Sequence, residues 1–88
     1  MNLNLLPDLA LFVQIVDQGS FSAVARISGA TPSAISRSVS RLEQEMGCKL
    51  LHRTTRKLRL SDAGKMVYEH ALEMLESARM AMDSASST

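Results

Sequence analysis

Thr31–Gly47 reads TPSAISRSVSRLEQEMG, and it predicts a helix with a signal at each end. Thr31 can cap the orphan amides of the first turn, and Pro32 suits the first helical position, where no N–H is needed. Gly47 stands where a left-handed C-terminal cap belongs. Between these ends, Ile35, Val39, Leu42 and Met46 recur at helical spacing and form an apolar stripe that must be buried. The other side carries Ser33, Ser36, Arg37, Ser40 and Gln44. A purely solvated face would more often carry Glu and Lys. Small hydroxyls with an Arg fit close approach to an anion, so the stretch predicts a DNA-reading helix.

Upstream, residues 5–18 (LLPDLALFVQIVDQ) predict a first helix, with Pro7 and Asp8 in its first turn and Gly19 at its end. Leu9, Phe12, Val13 and Val16 make one apolar face. Leu11 and Ile15 make a second, which a lone amphipathic helix would not need. Burial on two sides within the domain explains it, and so does a partner-facing side; in an 88-residue chain the partner is at least as good an account. Ser20 offers an N-cap for a short helix over residues 21–28, and Ser28-Gly29-Ala30 connects it to Thr31. Two helices joined by a short Gly-containing link form the helix-turn-helix pattern.

Downstream of Gly47 the period changes. Leu58 and Leu60 alternate with Lys57 and Arg59, as in a half-buried strand. With residues 49–53 they predict a two-stranded ribbon whose tip carries Arg53, Thr54, Thr55, Arg56 and Lys57. Such a ribbon is marginal alone and must pack on the helices. Its charge could serve only to protect an edge; beside a helix-turn-helix it reads as a basic wing touching phosphate or a minor groove. Ser61 then caps a helix from Asp62 to about Ala85, long enough to reach on the order of 35 Å. Val67, Ala71, Met74, Ala78, Ala81 and Ala85 follow a heptad seam, widened by Tyr68, Leu72, Leu75 and Met82. The first two turns belong to the monomer core; the remainder outruns the domain and predicts a dimerising helix.

The formal net charge of +1 conceals an asymmetry. Between Arg26 and Lys65 nine cations face three anions, while both flanks are acidic. A basic middle points to nucleic acid. One cysteine, Cys48, excludes an internal disulfide and fits a reducing compartment. No apolar run approaches the ~18 residues needed to span a bilayer, and the N-terminus lacks a secretory pattern. These features predict a soluble cytoplasmic chain. Catalysis finds little footing. Cys48 and His52 straddle a helix end and a strand without a third residue to orient the base. With His70 far along the last helix, they do not make a zinc site either. Cys48 is expected to be a small buried hydrophobe, and no cofactor is expected. A helical protein-interaction module with an incidental basic face is the other class of function.

The segment GSFSAVARISGATPSAISRSVSRLEQEMGCKLLHRTTRKLRLSDAGK resembles the N-terminal DNA-binding region of LysR-type transcriptional regulators of bacteria. The matching elements are Gly-Ser-Phe at 19–21, Ser-Ala-Ile-Ser-Arg at 33–37, Leu42-Glu43, Gly47, Leu-Leu-His-Arg at 50–53 and Leu-Ser-Asp-Ala-Gly at 60–64. The resemblance implies a mainly α fold: a winged helix-turn-helix over residues 1–60, with three helices and a two-stranded wing, then a linker and dimerisation helix over 61–88. Many relatives carry Gln where this chain has Pro32, a base contact that is lost here or passes to Ser33. Leu50-Leu51 replaces a frequent Leu-Phe and is a core change. The family continues into a C-terminal effector-binding domain, so a small-molecule effector would act only through that missing part, and the full protein could be tetrameric.

The expected partner is double-stranded DNA, bound by a homodimer and without a membrane. The expected contacts are Thr31, Pro32, Ser33, Ser36, Arg37, Ser40, Arg53, Thr54, Arg56 and Lys57. Arg37 either forks onto guanine or clamps a phosphate. Arg41 lies off the reading face and is expected to pair with Glu45 at i+4. Leu11, Ile15, Val67, Ala71, Met74, Leu75, Ala78, Ala81 and Met82 are the expected dimer contacts.

Overall fold

The structure is a computed structural model, and it describes residues 1–53 and 57–87. A short 3-10 turn, Leu3–Leu5, leads into α1 (Leu6–Gln18), followed by α2 (Phe21–Ser28) and α3 (Pro32–Met46). Strands β1 (Leu51–Arg53) and β2 (Leu58–Leu60) pair antiparallel, and α4 (Asp62–Ser86) closes the chain. Thr54, Thr55 and Arg56, which include two of the expected contacts, lie outside the described residues, as does Thr88.

The helix boundaries follow their capping chemistry. The side chains of Ser20, Thr31 and Ser61 each accept a hydrogen bond from the amide three residues on, at 3.2, 3.1 and 2.9 Å. Gly47 ends α3 with φ +72°, a left-handed conformation that a Cβ would disfavour. Its turn sends Cys48 outward, exposed rather than buried as expected, while Leu50 re-enters the core.

The core joins α1, α2, α3 and the root of the wing. Phe12, Ile15, Val24, Ile35, Leu42 and Leu50 are fully enclosed there, with Val39 and Leu51 beside them. Burying such side chains, at roughly 1.5–3 kcal/mol each, holds the short α2 against α3. The stripe expected on α3 is buried at Ile35, Val39 and Leu42, whereas Met46 lies at its exposed end. In the ribbon, Leu51 pairs with Leu60 and Arg53 with Leu58. Leu51, Leu58 and Leu60 face the body; His52 and Arg59 face out.

Two elements differ from expectation. Ile15 is completely enclosed, and Leu11 packs on the core. The second apolar side of α1 is therefore covered by its own chain, because α1 lies between α2 and α3 on one side and α4 on the other. Along α4, Ala71 is likewise buried and Val67 packs on the core, so these two residues are also occupied within the monomer. From Glu76 to Ser86 every residue of α4 is exposed, and the molecule measures 48 × 28 × 20 Å along its principal axes.

Candidate nucleic-acid interface

The exposed side of α3 carries Ser33, Arg37, Ser40 and Gln44, with Thr31 and Pro32 exposed at its start and Ser36 half-buried beside them. These positions turn outward because Ile35, Val39 and Leu42 pin the opposite side into the core. Among the described residues Arg37 makes neither an ion pair nor a hydrogen bond. Its guanidinium is free to fork onto an external acceptor.

Arg53, at the end of β1, reaches back to this helix. Its Nη2 donates to Ser36 Oγ at 2.8 Å, and its guanidinium carbon lies 4.2 Å from the centre of the Phe21 ring at the start of α2. A guanidinium over an aromatic face is attracted by the ring quadrupole. One cation thus ties the wing to both helices of the helix-turn-helix. The sequence marks Arg53 as basic and Phe21 as apolar; their pairing depends on β1 folding back beside α2. Lys57, just before β2, is exposed.

Other cations are committed to the fold. Arg41 pairs with Asp8 of α1, with Nη2 to Oδ1 at 3.0 Å and Nε to Oδ2 at 3.3 Å, in place of the expected Glu45. The long-range partner prevails because it lies in a partly dry site, where attraction is less screened than at the surface. Ser38 donates to the same carboxylate. Burial pushes the Asp8 carboxyl up, but the Arg41 and Ser38 hydrogen bonds and the Arg41 charge outweigh it and hold the carboxyl below its usual range. Ser38 is buried three residues beyond Ile35, on the stripe's own face; that spacing is the signal by which its role could be found.

Glu43 is also structural. Its Oε2 accepts from the Leu50 and Leu51 amides at 2.8 and 3.2 Å, and Oε1 lies 3.6 Å from Lys49 Nζ. This carboxylate sets where β1 leaves α3. Ser61 fastens the other end of the ribbon, its Oγ donating to Lys49 O at 2.6 Å and its amide to Leu50 O at 3.0 Å.

Leu6, Leu9, Met46, Met66, Val67 and Met74 line a nearly apolar groove of about 480 Å³ between α1 and α4. Met74 and Leu75 are half-buried; Ala78, Ala81 and Met82 are exposed. Among the described residues no three His, Cys, Asp or Glu side chains are grouped to hold a metal, and no helix is long and apolar enough to cross a membrane.

A helix-turn-helix whose second helix is exposed, braced by a two-stranded wing, defines a winged helix-turn-helix domain. Residues 6–65 match the family model of the bacterial regulatory helix-turn-helix proteins of the lysR family, and this chain belongs to that family. It is 83% identical over 87 residues to a probable HTH-type transcriptional regulator, LtrA, of Klebsiella pneumoniae, covering 99% of this chain and 28% of that protein. The chain spans about a quarter of the length of the curated relatives it matches. Two crystal structures share the fold closely. A BenM DBD complex with catB site 1 DNA is 27% identical with a TM-score of 0.86, covering 92% of this chain and 91% of that one. A CbnR DBD complex with DNA is 28% identical with a TM-score of 0.83, covering 93% and 94%.

Proposed function

We propose that this chain is the DNA-binding portion of a bacterial transcriptional regulator and acts by sequence-specific binding to duplex DNA rather than by catalysis. The observation that carries the reading is the outward face of α3, where Ser33, Ser36 and Arg37 stand beside the wing residue Arg53. The first two turns of α3 enter the major groove, as recognition helices do. Arg37 reads a base edge there, Ser33 and Ser36 are small enough to let the helix approach and carry hydroxyls that can meet bases, and Ser40 meets backbone. Thr31 and Pro32 open the helix at the phosphates. The wing, with Arg53, Thr54, Arg56 and Lys57, meets the flanking backbone or minor groove. The structures of BenM and CbnR domains with DNA support this reading.

Two copies would pair through α4, using Met74, Leu75, Ala78, Ala81 and Met82. The support is the run of exposed apolar side chains beyond the body, Met80 and Met82 among them, and the apolar groove at the base of α4. On this reading residues 1–60 bind DNA, residues 61–88 link and dimerise, and any effector acts through a further domain of a longer cytoplasmic protein.

Selection of bound sites from a random duplex pool tests the reading. The expected result is enrichment of a partly palindromic sequence whose affinity falls steeply with salt, as counterions leave the phosphates. A pool that stays random, or binding indifferent to salt, would refute it.

A further inference from the structure

Ser36 offers one hydroxyl hydrogen and two acceptor lone pairs. Arg53 Nη2 donates to its oxygen at 2.8 Å, and among the described residues nothing accepts the Ser36 hydrogen. The cation that takes up a lone pair is itself held in place, its guanidinium carbon 4.2 Å from the Phe21 ring centre. Ser36 sits one turn into α3, next to Arg37, on the part of the helix assigned above to the major groove.

A bare serine reads bases poorly because it can donate or accept at will. With Arg53 donating to it, the Ser36 hydroxyl is biased to donate outward, and the adjacent positive charge repels any amino group brought to the same place. At their exocyclic positions the bases divide on this property, although both purines also offer the N7 acceptor. Guanine and thymine present keto oxygens, O6 and O4, to the major groove; adenine and cytosine present amino groups, N6 and N4. The remaining guanidinium N–H groups reinforce the same choice, since Arg has five donors and no acceptor.

We propose that Arg53 is a positioning residue that makes Ser36 a reader of keto-bearing bases, so that one base pair of each half-site must present guanine or thymine to α3. The proposal rests on the DNA-binding reading above and adds to it a chemical class of base and a role for a wing residue beyond phosphate contact. Phe21, from α2, belongs to the device because it fixes the guanidinium plane. An Arg serving only as a phosphate anchor would leave the choice of base untouched.

The test uses the whole chain on a duplex enriched from the random pool, with each half-site position varied through all four base pairs. Affinities are measured for the parent, Ser36→Ala, Arg53→Ala and the double variant. The parent is expected to favour guanine or thymine at one position by about tenfold, the scale of one well-placed hydrogen bond. Each single variant should reduce the preference at that position to about twofold or less, and the double variant should lose no more there than either single variant. Arg53→Ala also weakens every sequence, but only the positioning role removes a preference at one position. If Arg53→Ala weakens all four base pairs equally and the preference survives, the proposal is overturned while DNA binding stands. If the parent selects adenine or cytosine at the position that Ser36→Ala alters, it is likewise overturned. A parent that enriches no duplex overturns the DNA-binding reading, and this inference with it.

Discussion

The Arg41 guanidinium of α3 holds the Asp8 carboxylate of α1 through two hydrogen bonds, at 3.0 and 3.3 Å. Ser38 donates to the same carboxylate from one helical turn away. Thirty residues of chain separate Asp8 from Ser38, so this contact fixes the angle at which the exposed face of α3 is presented. Asp8 is buried while Arg41 remains largely exposed, which makes the carboxylate the member that depends on its partners.

Asp8→Ala is expected to destabilise the chain by about 1–3 kcal/mol, because the buried Ser38 hydroxyl loses its acceptor. The contribution depends on pH in a defined direction. The folded Asp8 carboxyl lies below its ordinary value of 3.8, so its stabilisation is complete above that value and disappears as the pH falls through the folded one. Urea unfolding of parent and variant from pH 7 to pH 2 should show a gap that is constant near neutrality and narrows in strong acid.

Gly64 lies within the first turns of α4, where a Cβ would stand 2.1 Å from Leu50 O and 3.2 Å from Leu60 Cδ2. The obstacle is backbone, which cannot rotate away. Gly64→Ala should therefore cost roughly 3 kcal/mol, the upper range for overpacking, despite the better helix propensity of Ala. Thermal melts beside an exposed control on the same helix, Ser77→Ala, check it; a Tm equal to that of the parent would contradict the close approach.

Arg37→Ala should relax sequence preference at one base pair per half-site, at a cost of about 1–3 kcal/mol for the preferred base. Competition binding against single-base variants of the site measures this. A uniform loss across all variants would reassign Arg37 to phosphate.

Met82 is 72% exposed on the free part of α4. Met82→Glu should leave the melting temperature of the body nearly unchanged while shifting sedimentation from dimer toward monomer, since an apolar seam position would acquire a charge. A parent that sediments as a monomer at high micromolar concentration would remove the pairing role from α4.

Most of the local structure was legible in the sequence. Ser20, Thr31 and Ser61 marked helix starts, and Gly19 and Gly47 marked helix ends. The Leu58 and Leu60 alternation marked the strand. Each is a signal between residues a few positions apart, set by capping, backbone sterics and helical or strand period, and none needs the rest of the chain. The exposed face of α3 followed from these, and the resemblance to the family implied the fold.

Tertiary structure decided which of several local options each side chain took. Ile15 and Ala71 had apolar neighbours at helical spacing that fitted a partner as well as a core; packing among α1, α2 and α3 enclosed Ile15, and Ala71 was buried where α4 meets α1. Arg41 had Glu45 four residues away, yet α1 brought a buried carboxylate with a stronger claim. Gly64 was a helix-interior glycine without a reason until Leu50 O came beside it. On the reading helix, Thr31–Gly47 determined by itself which residues face outward. That Ser36 meets Arg53 and Arg53 meets Phe21 was decided only when the wing folded back across α2 and α3, because hydrogen-bond direction depends on atoms the local sequence does not bring together.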